Sequence, residues 1–120
     1  MRLKYFIIAG ESSGDLHGSL LMRHMREINP DVQFEGVGGN LMLNQGLKSF
    51  VDIKKMNVMG FVEVLKNYSF FKSVQIDFLE KIKLGRFDGI ILIDYPGFNL
   101  RLAKKIKNVF PCLPIHYYIS

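Results

Sequence analysis

The residues best suited to chemistry stand in two short polar stretches, each of which directly follows an apolar run. Residues 10–15 (GESSGD) follow the apolar residues 5–9, and residues 94–99 (DYPGFN) follow the apolar residues 89–93. Short apolar runs that end in turn residues are typical of strands buried in a parallel sheet. Because ligands bind such sheets at the carboxyl ends of the strands, both loops are predicted to line one crevice.

The first loop has features of an anion site. Gly10 and Gly14 allow tight turns and close approach of backbone amides, and the helix that follows directs its positive end at the crevice. An anionic group such as a phosphate is a natural ligand there. The loop is neither the three-glycine dinucleotide fingerprint nor a phosphate loop with Gly-Lys-Ser/Thr, and a plain strand-to-helix turn explains it equally well.

The second loop opens with Asp94, at the end of the apolar run. A carboxylate at that point is partly desolvated and is well placed to accept a proton as a general base. The alternative is that Asp94 only caps the turn formed by the Tyr-Pro-Gly that follows it. The residue types alone leave both interpretations open.

Composition excludes several classes of function. The three histidines have no metal-ligand spacing and no cysteine or carboxylate cluster beside them, so neither a metal nor another cofactor is expected. The net charge of +5 favours anionic partners, but the cations are spread along the chain and no nucleic-acid module is recognisable. The single cysteine, Cys112, excludes an internal disulfide and is predicted to be a small buried side chain. No apolar stretch approaches the roughly 20 residues that cross a bilayer.

Strands and helices must alternate to position the two loops. Apolar spacing predicts strands over 5–9, 32–37, 89–93 and 115–119, a weaker strand over 47–53, and helices after 15, over 41–44, over 61–82 and around 102–110. Ser13 or Asp15 is predicted to cap the first helix. This order predicts one α/β unit, an open parallel-sheet Rossmann-like domain with right-handed crossovers.

Residues 58–65, with Tyr68, Phe70 and Phe71, offer more large apolar side chains than one buried helix face requires. Lys66 follows the first of these groups and Lys72 the second. The segment is either an ordinary core helix or a surface that meets acyl chains or the membrane interface, with the lysines at the phosphate layer. The residues leave this choice open.

Five stretches, taken together, resemble one protein family. They are GESSGD at 10–15, GVGG at 36–39, VMGFVEVL at 58–65, IDYPGFN at 93–99 and HYY at 116–118. In order and approximate spacing they resemble the lipid-A-disaccharide synthase family over essentially the whole chain. The resemblance implies the amino-terminal part of an inverting glycosyltransferase of the GT-B arrangement, in which two Rossmann-like halves face each other across a cleft. Residues 1–120 would then be a single, incomplete acceptor-side domain without the UDP-sugar-binding domain.

The resemblance also implies a reaction in lipid A biosynthesis. The family transfers 2,3-diacylglucosamine from UDP-2,3-diacylglucosamine to 2,3-diacylglucosamine 1-phosphate (lipid X), which gives lipid A disaccharide 1-phosphate and UDP. Inversion requires a base that takes the proton of the acceptor hydroxyl, and Asp94 matches the family's candidate for that base. Implied substrate-binding residues are Glu11, Ser13, Gly14, Asp15, Asn99, Met59 and Phe61. Asn99 would also order the loop that carries Asp94.

Because the family works at the cytoplasmic membrane surface, the resemblance favours a lipid-facing role for residues 59–71 and peripheral association with the inner membrane. The chain stops within an apolar strand signal at Ser120, so we expect a piece of a longer protein that is inactive alone. A common form of the family has an acidic residue where Gly97 stands, so no carboxylate role is assigned there.

Two other classes of function are open. One is a stand-alone α/β module that binds an anion or nucleotide without catalysis. The other is a Rossmann oxidoreductase, which the glycine spacing disfavours.

Overall fold

The computed structural model describes residues 2–49 and 68–119, in which strands and helices alternate. The elements, in chain order, are β1 Lys4–Ala9, α1 Ser12–Ile28, β2 Gln33–Val37, α2 Asn40–Asn44, β3 Lys48–Ser49, α3 Tyr68–Gly85, β4 Gly89–Ile93, α4 Pro96–Val109 and β5 Ile115–Tyr118. The strand bounds agree closely with the apolar runs, and β4 coincides with the predicted strand 89–93.

The strands form one sheet in the order β3-β2-β1-β4-β5, and every neighbouring pair is parallel. The predicted open parallel α/β fold, Rossmann-like in its strand order, is confirmed. The chain runs outward from β1 to one edge and then returns to place β4 on the other side of β1. Ligands of such sheets bind at this reversal, between β1 and β4. Ala9 is paired with Ile93 in the register, so the loops after β1 and β4 leave the sheet side by side.

Helices cover both faces of the sheet, because successive side chains of each strand point to opposite faces. Phe6 and Ile8 of β1 pack in the core cluster that contains residues of α3 and α4. Ile7 and Ala9 pack in the second cluster, with residues of α1 and α2. All five residues of β4 are buried, as expected for a parallel strand that is covered on both sides.

Several local predictions need correction or completion. Helix α1 begins at Ser12 with Glu11 at the N-cap and no side-chain cap, so the prediction that Ser13 or Asp15 caps it is wrong. Both residues lie inside the first turn of the helix. Cys112 is exposed, and the prediction that it is buried is also wrong. It lies in the turn between α4 and β5, where the chain runs over the surface.

Helix α3 corresponds to the described part of the long predicted helix. Phe78 and Ile82 lie in the core, whereas Ile76 and Leu84 are exposed, which identifies the buried face from residue 75 onward. In the described part of the chain, no helix has the length and apolar character needed to span a membrane.

A buried carboxylate connects α3 to the β3 edge of the sheet. The Glu35 side chain is 9% exposed, and its carboxylate lies 3.3 Å from Lys4 Nζ, 3.6 Å from Lys48 Nζ and 3.3 Å from Lys81 Nζ. Burial alone would raise the pKa of Glu35, but the hydrogen bonds and charges of Lys81 and Lys4 outweigh burial and hold that pKa below its usual value. The carboxylate therefore joins β1, β2, β3 and α3.

Candidate functional site

The two polar loops meet over the reversal point of the sheet, as their positions in the sequence predict. Gly14 is buried in the first turn of α1, and a Cβ built on it would lie 3.3 Å from Ala9 Cβ and 3.6 Å from Ile93 Cγ2. A larger side chain at Gly14 would push α1 away from the ends of β1 and β4. Glycine at this position therefore lets the start of α1 lie directly against both strand ends.

The carboxylates of the two loops raise the pKa of two tyrosines near the carboxyl ends of the strands. Burial raises the pKa of Tyr95, and the negative charge of Glu11 in the first loop raises it further. Burial likewise raises the pKa of Tyr117, with a further contribution from the charge of Asp94. Asp94 lies next to β5, because its amide donates to the carbonyl oxygen of Tyr118. The carboxyl ends of β1, β4 and β5 therefore lie side by side.

The backbone of the second loop adopts an unusual conformation at Asp94. Asp94 has φ +46° and Tyr95 has φ +47°, so two consecutive non-glycine residues are left-handed just before α4 begins. Residues other than glycine pay on the order of 1–3 kcal/mol for such a conformation, and it persists only where the surroundings fix it. Backbone strain of this kind often marks functional sites.

Hydrogen bonds from two other elements fix this turn. Asn99 Nδ2 donates to the carbonyl oxygens of Asp94 at 2.8 Å and of Ile93 at 3.2 Å, and the Asn99 side chain is fully buried. Tyr117 Oη donates to the same Asp94 carbonyl at 2.9 Å, and the Asp94 amide donates to the Tyr118 carbonyl at 2.9 Å. Helix α4 and strand β5 thus hold both backbone polar groups of Asp94.

Asp15 connects the first loop to the turn after β2. Its carboxylate accepts hydrogen bonds from the amides of Gly39 at 2.9 Å, Leu41 at 3.1 Å and Met42 at 3.0 Å. The side chain predicted to cap α1 therefore caps α2, and both of its oxygens are used. It fixes the Gly38-Gly39 turn at the carboxyl end of β2.

The remaining sequence-predicted site residues have different positions. Glu11 and Ser13 are exposed at the start of α1, where their side chains face solvent. Met59 and Phe61 lie outside the described residues. Within 2–49 and 68–119, no three histidine, cysteine or acidic side chains come together in a way that could hold a metal ion. Tyr117 was missed by sequence reasoning as a site residue, although its strand follows the apolar run of β4 and carries the HYY stretch.

The chain is similar to known proteins over nearly its whole length. A family model described as lipid-A-disaccharide synthetase matches residues 5–120. The chain belongs to the lipid-A-disaccharide synthase family. The family predicted from the five stretches is thereby confirmed.

Individual relatives agree with this assignment. The chain is similar to the lipid-A-disaccharide synthase of Ruegeria pomeroyi, with 40% identity over 115 residues that cover 96% of this chain and 29% of the relative. It is 42% identical over 118 residues to that of Trichlorobacter lovleyi, covering 98% of this chain and 30% of the relative. It is 42% identical over 107 residues to that of Acinetobacter baylyi, covering 89% and 27%. The chain thus spans less than one third of the length of these relatives.

Proposed function

We propose that this chain is the acceptor-side Rossmann-like domain of an enzyme that makes the lipid A disaccharide. The whole protein would transfer 2,3-diacylglucosamine from UDP-2,3-diacylglucosamine to 2,3-diacylglucosamine 1-phosphate and release UDP. The observation that carries the proposal is the strained turn at Asp94, held at the reversal point of the sheet in a chain of this family. A second domain outside residues 1–120 would bind the UDP sugar, which agrees with the greater length of the relatives.

In the proposed reaction Asp94 acts as the general base. Its carboxylate takes the proton of the acceptor sugar hydroxyl, and the hydroxyl oxygen attacks the anomeric carbon of the donor from the face opposite UDP. The bond between the anomeric carbon and the UDP oxygen breaks, and its electron pair leaves with UDP. This single displacement inverts the anomeric centre. A correctly placed base contributes about 10²- to 10⁴-fold to the rate of such a step.

The first loop would bind a substrate and shape the crevice, and it would take no part in the chemical step. The first-turn amides of α1, which have no acceptor within the helix, and the helix dipole favour a phosphate of either substrate near Ser13 and Gly14. Glu11, which is exposed at the start of α1, would border the crevice near the acceptor or the donor phosphates. Asp15 would keep the Gly38-Gly39 turn in place through its three hydrogen bonds to α2 and that turn.

We further propose that the protein meets the cytoplasmic face of the inner membrane peripherally. Both proposed substrates carry acyl chains, and the net charge of +5 favours an anionic lipid surface. Met59 and Phe61 are the proposed contacts with acyl chains, on the grounds of the family resemblance.

A transfer assay on the whole protein tests the proposal. Purified full-length protein is supplied with both substrates, and release of UDP and formation of the disaccharide are measured. The Asp94→Asn variant is expected to lose at least 100-fold in kcat. The matched control is Asp31→Asn. Asp31 is an exposed aspartate in the turn before β2, at the amino ends of the strands and therefore away from Asp94. The control should retain the parent's rate.

The outcomes separate two classes of function. Transfer by the parent that depends on Asp94 supports a synthase in which this loop supplies the base. Binding of UDP or phosphate by the whole protein without any transfer would contradict the proposal and favour a binding module.

A further inference from the structure

We propose that Tyr117 is a positioning residue for the reaction, whose hydroxyl holds the backbone of Asp94 in the conformation that presents its carboxylate to the crevice. The inference rests on the proposed role of Asp94 as base. Tyr117 does not itself touch the reacting atoms in this proposal. It acts through the Asp94 carbonyl oxygen, to which it donates at 2.9 Å.

The geometry at the Asp94 carbonyl explains why a second donor is needed. A carbonyl oxygen has two lone pairs, and here Asn99 Nδ2 at 2.8 Å and Tyr117 Oη at 2.9 Å both donate to it. Two consecutive left-handed residues make this turn costly, and nearby lower-energy conformations would redirect the Asp94 side chain. Each donor that fixes the carbonyl direction raises the free energy of those alternatives.

Tyr117 also connects the turn to a different element from Asn99. Asn99 lies within α4, so it moves with the helix that the turn begins. Tyr117 lies on β5, where it is paired with Leu92 of β4 and packs against the core cluster under α3 and α4. Its ring is therefore held by the sheet, and its hydroxyl fixes the turn relative to the sheet rather than relative to α4.

The hydroxyl is available as a donor at every physiological pH. Burial raises the pKa of the Tyr117 phenol above its ordinary value, and the negative charge of Asp94 raises it further. The phenol therefore keeps its proton, and Tyr117 serves as a fixed hydrogen-bond donor. Tyr117→Phe removes this donor while it keeps the ring and the backbone hydrogen bond from Asp94 to Tyr118.

The test compares kcat and KM in the full-length protein. Loss of one well-formed hydrogen bond corresponds to about a five- to tenfold change in an equilibrium or a rate. Tyr117→Phe is expected to lower kcat by about that factor and to leave both KM values within about twofold of the parent. The matched control is Tyr5→Phe, the same chemical change at the amino end of β1, which should leave kcat unchanged.

A double variant separates positioning from general damage to the fold. In the Asp94→Asn background there is no carboxylate to position, so adding Tyr117→Phe should not lower the residual rate further. The inference is overturned if Tyr117→Phe alone keeps the parent's kcat, or if it lowers kcat by the same factor in both backgrounds. If Asp94→Asn keeps the parent's rate, the proposed base fails and the inference fails with it. That failure is recognised from the single variant, without reference to Tyr117.

Discussion

Replacing the buried carboxylate of Glu35 with an amide should destabilise the chain by about 2 kcal/mol near pH 7. The change Glu35→Gln keeps the shape of the side chain but leaves Lys4 and Lys81 without their counterion at 3.3 Å. Breaking a fully buried ion pair costs about 3–5 kcal/mol, whereas an exposed pair contributes about 0–1 kcal/mol. The side chains of Lys4 and Lys81 are 25% and 32% exposed, so they recover part of their hydration and the loss falls between these limits.

The stability difference between the parent and Glu35→Gln should depend on pH in a defined direction. The pKa of Glu35 is lower in the folded chain than its ordinary value of 4.5, so the ionised carboxylate stabilises the fold. This stabilisation is complete above the unfolded pKa and is lost as the pH falls through the lower folded pKa. The difference between the parent and Glu35→Gln should therefore be constant from about pH 8 to pH 6 and should shrink as the carboxylate becomes protonated.

Urea unfolding of the 120-residue chain at a series of pH values measures this difference. Thermal unfolding should show the same loss as a decrease of about 10 °C in Tm near pH 7. The matched control is Glu27→Gln on α1, whose side chain is 60% exposed and pairs with Arg23 at 3.8 Å and His24 at 3.5 Å. The control should change stability by less than about 0.5 kcal/mol. Equal stability of Glu35→Gln and the parent at pH 7, or a loss that does not diminish at low pH, would refute the reasoning.

Two further predictions concern the backbone around the sheet and the crevice. Gly36→Ala should destabilise the fold by more than about 3 kcal/mol, because Gly36 has φ +142° and a Cβ there would overlap the Ile7 carbonyl oxygen. Gly97→Ala is the matched control in the first turn of α4. A Cβ at Gly97 would meet nothing within 4 Å, so this change should be neutral or stabilise the fold by up to about 1 kcal/mol. Equal urea midpoints for the two variants would contradict this. Asp15→Ala should cost about 1–2 kcal/mol and speed amide hydrogen exchange at Leu41 and Met42, because it removes the acceptor for those amides. Unchanged exchange at both amides would show that the carboxylate does not cap α2.

The order of the elements and the convergence of the two loops could be predicted because both depend on local patterns. Continuous apolar runs identify β1 and β4, and the polar residues after them must lie at the carboxyl ends of the strands. The partners of individual polar groups could not be predicted in the same way. Asp15 has the residue type and spacing of a cap for its own helix, but its acceptors are filled by amides 24 to 27 residues later in the chain.

The left-handed turn at Asp94 and the hydrogen bond from Tyr117 could not be predicted from the sequence, for a related reason. Asp before Tyr-Pro-Gly indicates a turn, but the sign of φ depends on how α4 and β5 pack around it. Tyr117 is 23 residues from Asp94 in the chain, and only the pairing of β4 with β5 brings its hydroxyl to the carbonyl. The ion pairs of Glu35 likewise depend on α3 bringing Lys81 Nζ to 3.3 Å from its carboxylate, which no local pattern indicates.

In the proposed reaction the turn after β4 places Asp94 to take the proton of the acceptor hydroxyl. The most direct measurement is the single-turnover rate of glycosyl transfer by full-length Asp94→Asn, with the affinities for donor and acceptor determined separately by equilibrium binding. We predict a rate at least 100-fold below that of the parent, with both affinities within about threefold, because the variant keeps the binding surface and loses only the proton acceptor. A single-turnover rate within about threefold of the parent would contradict the assignment of Asp94 as the base.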